Sequence, residues 1–155
     1  MSDYQFEHNA YLLSTDKNLL QIDKVHQFLT HESYWAKDIP KTIVEKSIFN
    51  SLCFGVYFND AQVGFARVVS DFATFAYLCD VYITTEHRGK GLSKWMMEKI
   101  MQHPDLQNIR RFTLGTRDAH GLYRKFGFKE PDNGCNNMEI RIDDIYTKMN
   151  RQDAK

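Results

Sequence analysis

Apolar residues recur at helical spacing twice within the first fifty positions. Leu19, Ile22, Val25, Phe28 and Leu29 share one face of a segment spanning 18–31, with Asp16 placed to cap it. After a loop over 32–38 that carries Tyr34 and Trp35, Pro40 opens a second helix through Ile43, Val44 and Ile48. The pattern then changes to strands. Residues 52–58 end at Asn59-Asp60, a tight polar turn, and 62–69 follow in hairpin fashion. Beyond Asp71 comes the long, aromatic-rich strand 74–83. Residues 91–102 read as a helix, because Leu92, Trp95, Met96 and Ile100 fall on one face. Residues 110–116 predict another strand and 119–126 a short helix, with Phe128 and 138–142 supplying the last strand. Helices, an antiparallel meander, then alternating strands and helices make a mixed sheet flanked by helices, an α/β architecture.

Bulk properties narrow the class. At 155 residues the chain is the size of one domain, read as spanning 1–150 with a polar tail at 151–155. It is 43% hydrophobic and 26% charged, with 20 Lys and Arg against 20 Asp and Glu, the balance of a soluble globular protein. No basic excess points to nucleic acid or an anionic membrane as partner. The longest apolar stretches are strand-sized, and the start, MSDYQFEHNA, lacks the apolar run of a signal peptide. Cys53, Cys79 and Cys135 are too scattered for a disulfide framework or a zinc site, and the six histidines show no metal-type spacing. A reduced, cytoplasmic protein without a metal is the expectation.

The passage from Val81 to Ile100 carries the candidate chemistry. A strand runs into the turn Arg88-Gly89-Lys90-Gly91-Leu92-Ser93, which opens the amphipathic helix. Two glycines permit backbone conformations in which successive N–H groups converge on an anion. The helix start adds unpaired amides and partial positive charge, and Arg88 and Lys90 add full charges. This is a seat for a diphosphate. A nucleoside-triphosphate loop fits poorly, since Gly91 and not Ser or Thr follows Gly89-Lys90, and the dinucleotide fingerprint lacks its third glycine.

The segment DVYITTEHRGKGLSKWMMEKI resembles motif A of the GNAT superfamily of N-acetyltransferases, with Arg88, Gly91 and Ser93 at its defined positions. Ser93 stands where Gly or Ala is usual. A second block, TRDAHGLYRKFGF over 116–128, resembles that family's motif B. Together with the hairpin upstream, the resemblance covers about residues 50–130. The resemblance implies a mixed central sheet splayed between its fourth and fifth strands, where 74–83 parts from 110–116. Acetyl-CoA would be the acyl donor. Its pantetheine arm would lie in the gap against backbone near Val81, Tyr82 and Ile83, with its phosphates on residues 88–93.

Tyr123 matches the family tyrosine that often protonates the departing CoA sulfur; spacing alone would make it one more aromatic packed beside Leu122 and Phe126, and the motif favours the acid role. Cys79-Asp80 stands where relatives often show Glu-Asp, leaving the general base unidentified. Asp80 either attracts or orients an ammonium group or is a structural hydrogen-bonder at a strand bulge, and strict alternation sets it on the opposite face from Cys79, with Leu78 and Tyr82. Nothing near Cys79 argues for an activated nucleophile. Asp118 takes the place of a cofactor-binding Asn, and His120 either meets the cofactor or lies on the surface.

The resemblance places the acceptor site at the loop with Tyr34, Trp35 and Asp38, the rim with Phe72 and Phe75, and Asp80. Aromatic walls with scattered carboxylates suit an amine. The expected reaction is acetyl transfer to a primary amine of a small molecule by direct attack in a ternary complex. A protein or peptide acceptor and a non-catalytic acyl-CoA-binding module stand as alternatives. Exposed aromatics in the C-terminal segment fit either a homodimer contact or the last strand of the sheet.

Overall fold

A computed structural model describes residues 4–153, except for the side chain of Cys135. Six strands form one sheet in chain order: β1 (Gln5–His8), β2 (Tyr11–Ser14), β3 (Leu52–Phe58), β4 (Ala61–Ser70), β5 (Phe75–Ile83) and β6 (Arg111–Leu114). Neighbours are antiparallel from β1 to β5, whereas β5 and β6 are parallel. That last pairing needs a crossover, which α3 (Leu92–Met101) supplies. Helices α1 (Ile22–His31) and α2 (Lys41–Phe49) cover the other face, and α4 (His120–Arg124) and α5 (Ile145–Asp153) complete the chain.

Alternation along the central strands builds a core on each side. Phe54, Val56, Val68, Ala76 and Leu78 pack with Met96, Met97 and Ile100 of α3. Cys53, Phe65 and Tyr82 face Val25, Phe28 and Leu29 of α1 and Val44 and Ile48 of α2. Phe28 and Tyr82 stack with ring centres 3.9 Å apart.

The mixed α/β sheet is as expected; four details differ. The N-terminal hairpin was not predicted: its turn, Asn9-Ala10, holds both residues at positive φ (47° and 69°), the conformation that Asn59-Asp60 adopts in the recognised hairpin. Counted in chain order with this hairpin included, the diverging pair is the fifth and sixth strands. Asp16 caps a short 3-10 turn, Lys17–Leu19, and α1 begins separately at Ile22. Residues 138–142 form no strand: Met138 and Ile140 are 98% and 97% exposed, because the chain leaves β6 here instead of pairing along it. The polar tail is helical as far as Asp153, since α5 runs through it, and Ala154 and Lys155 lie outside the described residues.

Two departures from regularity in β5 position the site. Pairing with β6 covers only Phe75 to Leu78, opposite Arg111 to Leu114, so β5 continues from Cys79 to Ile83 with that edge open. On its other side the register jumps from Phe65↔Tyr82 to Arg67↔Cys79, so Asp80 and Val81 together oppose Ala66. Asp80 sits in this bulge at φ 55°.

Phe65 is fully buried between the sheet and α1. Its replacement by alanine is expected to cost about 3–5 kcal/mol, read as a lower urea midpoint at unchanged slope.

Candidate active site

The basic turn has the geometry an anion needs. Gly89 and Gly91 lie at φ 76° and 77°, a region costly for residues with a side chain, and an added Cβ at either would meet nothing within 4 Å. The left-handed conformation and not crowding therefore calls for glycine, and the space above the turn is open. Gly91 caps α3, whose first helical bond runs from Trp95 N–H to the Gly91 carbonyl, leaving the amides of Leu92, Ser93 and Lys94 without intrahelical acceptors. Arg88 donates through Nε to the Ile83 carbonyl at 2.9 Å, tying the turn to the end of β5. Lys90 is exposed, while the Leu92 side chain is buried in the core and offers only its backbone.

The bulge redirects Asp80. Strict alternation put it on the face opposite Cys79; the extra residue turns it onto the same face, beneath α1 and α2, while Leu78 stays in the α3 core. Its carboxylate, 9% exposed, accepts from Arg67 Nε and from Trp35 Nε1, both at 2.8 Å. Arg67 also donates to Ser51 Oγ at 3.0 Å. Tyr34 meets Trp35 edge-on with ring centres 4.9 Å apart. The Tyr34 hydroxyl accepts from the Arg117 backbone N–H at 3.0 Å, and the Arg117 guanidinium lies 3.8 Å over its ring. The loop after α1 thus bridges β5 and the segment beyond β6, where the two strands have parted.

Tyr123, 8% exposed on α4, belongs to the core cluster that includes Leu92 and reaches Val81 and Leu114. Burial pushes its phenol up to about 12, with Tyr34 and then Asp118 adding to the effect. No group among the described residues hydrogen-bonds its hydroxyl. Asp80 is joined to Trp35, Trp35 to Tyr34, and Tyr34 lies near Tyr123. Val81 and Ile83 face the α3 core, and Tyr82 stacks under Phe28 beside a 530 Å³ groove that Gln27, Glu32, Thr84 and Glu86 also line. Tyr82 therefore offers an incoming arm its backbone alone.

The sequence model described as an acetyltransferase (GNAT) domain matches residues 49–130. The chain belongs to the GNAT family of acetyltransferases. It is 33% identical over 141 residues, 77% of its length and 80% of the relative's, to FG08082 of Gibberella zeae, named as a candidate acetyltransferase. A crystal structure from Xanthomonas campestris pv. campestris, described as a candidate acetyltransferase of the same family, superposes with a TM-score of 0.87 at 48% identity, covering 92% of this chain and 99% of that one. A predicted acetyltransferase of Clostridium acetobutylicum, crystallised with acetyl-CoA, shares the fold at 17% identity and a TM-score of 0.61, covering 84% and 94%.

The other expected site residues of this acetyltransferase stand outside the cluster of Asp80, Trp35, Tyr34 and Tyr123. Phe75 precedes the bulge by five residues, about 16 Å of strand; it carries Arg111 over its ring at 5.9 Å. Phe72 stands at φ 59° in the β4–β5 turn, which Asp71 closes by accepting the N–H groups of Ala73, Thr74 and Phe75. Asp38 is exposed at φ 65°, and its carbonyl accepts from Asn150 of α5. Asp118 and His120 are exposed at the approach to α4. Arg67, Arg117 and Tyr146 were missed. Arg67 had a signal, a lone cation inside the apolar run GFARVV, whereas the other two join the site through loops and α5. Tyr146 packs on the α1–α2 core, its phenol pushed up by burial and then by the nearby Asp80. Among the described residues no group of His, Cys, Asp and Glu would hold a metal, and no helix is long and apolar enough to cross a membrane.

Burial pushes the Cys53 thiol to about 11 and the Cys79 thiol to about 12. Thiolate, the reactive form, is therefore scarce at both near neutral pH. In the unfolded chain thiols titrate near ~8.5 and phenols near ~10, so the unfolded state sheds protons first as pH rises. The stabilising contribution of these groups is complete below about pH 8 and declines from there towards pH 12. Native protein at pH 7.5 should resist iodoacetamide at Cys53 and Cys79, as mapped by mass spectrometry, and melt at progressively lower temperature above pH 9. Rapid native labelling of Cys79 would contradict this.

Proposed function

We propose that this acetyltransferase takes its acetyl group from acetyl-CoA, a co-substrate, and passes it to a primary amine of a small molecule by direct attack in a ternary complex. The observation that carries the reading is the run of the open β5 edge, from the glycine turn at α3 to Tyr123. One end suits phosphates, the middle suits a linear amide chain that completes the strand's hydrogen bonds, and the far end holds a phenol whose hydroxyl has no hydrogen-bond partner among the described residues. Residues 88–93 would hold the diphosphate, and the backbone at Val81, Tyr82 and Ile83 the pantetheine arm. Asp118 and His120 would touch the cofactor from the approach to α4.

In the transfer step the amine nitrogen attacks the thioester carbonyl, the C–S bond breaks, and the proton released by nitrogen ends on sulfur. Tyr123 is fully protonated at neutral pH, so its O–H is available to the nascent thiolate. A phenol near 12 holds its proton more tightly than the CoA thiol does, so the role is hydrogen-bond donation. Asp80 already neutralises Arg67 and holds Trp35. We assign it to orienting the acceptor ammonium, which first gives one proton to water and so becomes the neutral amine that attacks; the second proton, lost after attack, is the one that ends on sulfur. Tyr34, Trp35 and Asp38 frame the acceptor mouth, and Phe72 and Phe75 form its distant rim. Cytoplasmic location belongs to the same proposal, resting on the free thiols of Cys53 and Cys79 among the described residues.

The test is a screen of amines with acetyl-CoA, following free thiol and acetylated product, with peptides as a parallel arm. Tyr123→Phe is expected to lower kcat by about 10²-fold while leaving acetyl-CoA affinity within about twofold of the parent. Gly91→Asp, which adds a side chain at positive φ and a like charge, should weaken acetyl-CoA binding at least ~100-fold by calorimetry. Undiminished binding by Gly91→Asp would refute the donor assignment, and unchanged turnover of Tyr123→Phe would remove that residue from the mechanism.

A homodimer is part of the proposal. Met138 and Ile140 stand almost fully exposed in an extended segment, an apolar surface that a second copy would cover. Light scattering should give twice the chain mass, and Ile140→Asp should restore the monomer; a monomeric parent chain would end this part of the reading.

A further inference from the structure

The loop that carries Tyr34 and Trp35 is fastened at both ends. On β5, Trp35 Nε1 donates to Asp80, which is held in turn by Arg67, and Arg67 by Ser51. Beyond β6, the backbone of Arg117 donates to Tyr34. Between these points β5 and β6 have separated, so Tyr34 and Trp35 span the opening in which Tyr123 lies. The Trp35 link depends on a carboxylate pointing the right way from a bulge, where backbone register alone does not fix direction. Arg67 supplies that direction. Its Nε meets Oδ2, leaving Oδ1 for the indole, and its Nη1 on Ser51 anchors the guanidinium to the end of the segment preceding β3. Arg67 is 18% exposed and Asp80 9%, so water competes little for the pair.

We propose that Arg67 is a positioning residue: through Asp80 it holds Trp35, and with it Tyr34, as a wall across the opening between β5 and β6, excluding water from the thioester and shaping the place where the acceptor amine enters. This rests on the donor reading given above. When the wall is loosened, water replaces the amine as nucleophile: its oxygen attacks the carbonyl, the C–S bond breaks, one of its protons ends on sulfur and the other is released to solvent, leaving CoA thiol and acetate.

Two variants test the chain of contacts. Trp35→Phe keeps an aromatic ring and removes the N–H; Arg67→Gln removes the fork, with Arg67→Lys in reserve should the glutamine variant not fold. In both, acetyl-CoA affinity by calorimetry should stay within about twofold of the parent. The acceptor KM should rise about tenfold, with a smaller change in kcat, and the acetate-to-product ratio should rise at least ~fivefold. A merely structural role would lower all activities together without moving that ratio. A readout independent of turnover is the indole N–H of Trp35 in a ¹H–¹⁵N spectrum, identified against Trp95 by Trp95→Phe. In Arg67→Gln it should shift upfield and exchange faster with solvent. An unmoved indole signal in a folded Arg67 variant, or an unchanged acetate-to-product ratio in both variants, would overturn the proposal. Failure of the parent protein to bind acetyl-CoA would instead refute the donor reading, and the indole signal would then decide the role of Arg67 alone.

Discussion

The site depends on β5 losing its partner on one side and its regular pleat on the other within the same few residues. Four residues of parallel pairing to β6 leave the second half of the strand with open backbone groups. Such groups are costly to bury unpaired, so the edge must be solvated or filled. The bulge at Asp80 solves the opposite problem, bringing a carboxylate to the α1–α2 face where alternation alone would have sent it into the α3 core. A charge there would meet Val56, Leu78 and Met96; where it stands it meets Arg67 and Trp35.

The proposed donor and acceptor sides of the opening are made differently. On the proposed donor side the groups on offer are mostly backbone: amides at the start of α3, the open edge of β5, and two glycines whose positive φ aims the turn. Such a surface is rigid because the helix and strand it terminates are rigid. On the acceptor side the groups are side chains from separate elements, held by hydrogen bonds of ordinary length. A loop fastened at two points can be altered at either without disturbing the donor turn.

That difference decided what could be read before the structure. The glycine turn and the Leu122-Tyr123 block are contiguous, so their chemistry was visible as spacing along the chain. The central strands and α3 were visible for the same reason, since their apolar periods run unbroken. The N-terminal hairpin escaped because Asn-Ala is an unusual pair for a turn with two positive φ values, and its strands are only four residues long. The segment 138–142 misled in the other direction: its alternating Met138, Ile140 and Ile142 have the period of a strand, yet period alone names no partner edge.

The acceptor wall was the least legible part, and for a physical reason. Trp35, Arg67, Asp80, Arg117 and Tyr146 come from five separate stretches of chain and meet only after the sheet has formed. Arg67 was the one with a local trace, because a lone cation within GFARVV must find a counter-charge or leave the interior. Its partner was hidden by a single extra residue in β5, since one added residue reverses the face of whatever carries it. A bulge of this kind changes no composition and little periodicity, yet it moves a charge from one side of the sheet to the other. Changing the side chains that the bulge and the loop above it present would therefore alter the proposed acceptor side while leaving the glycine turn as it is.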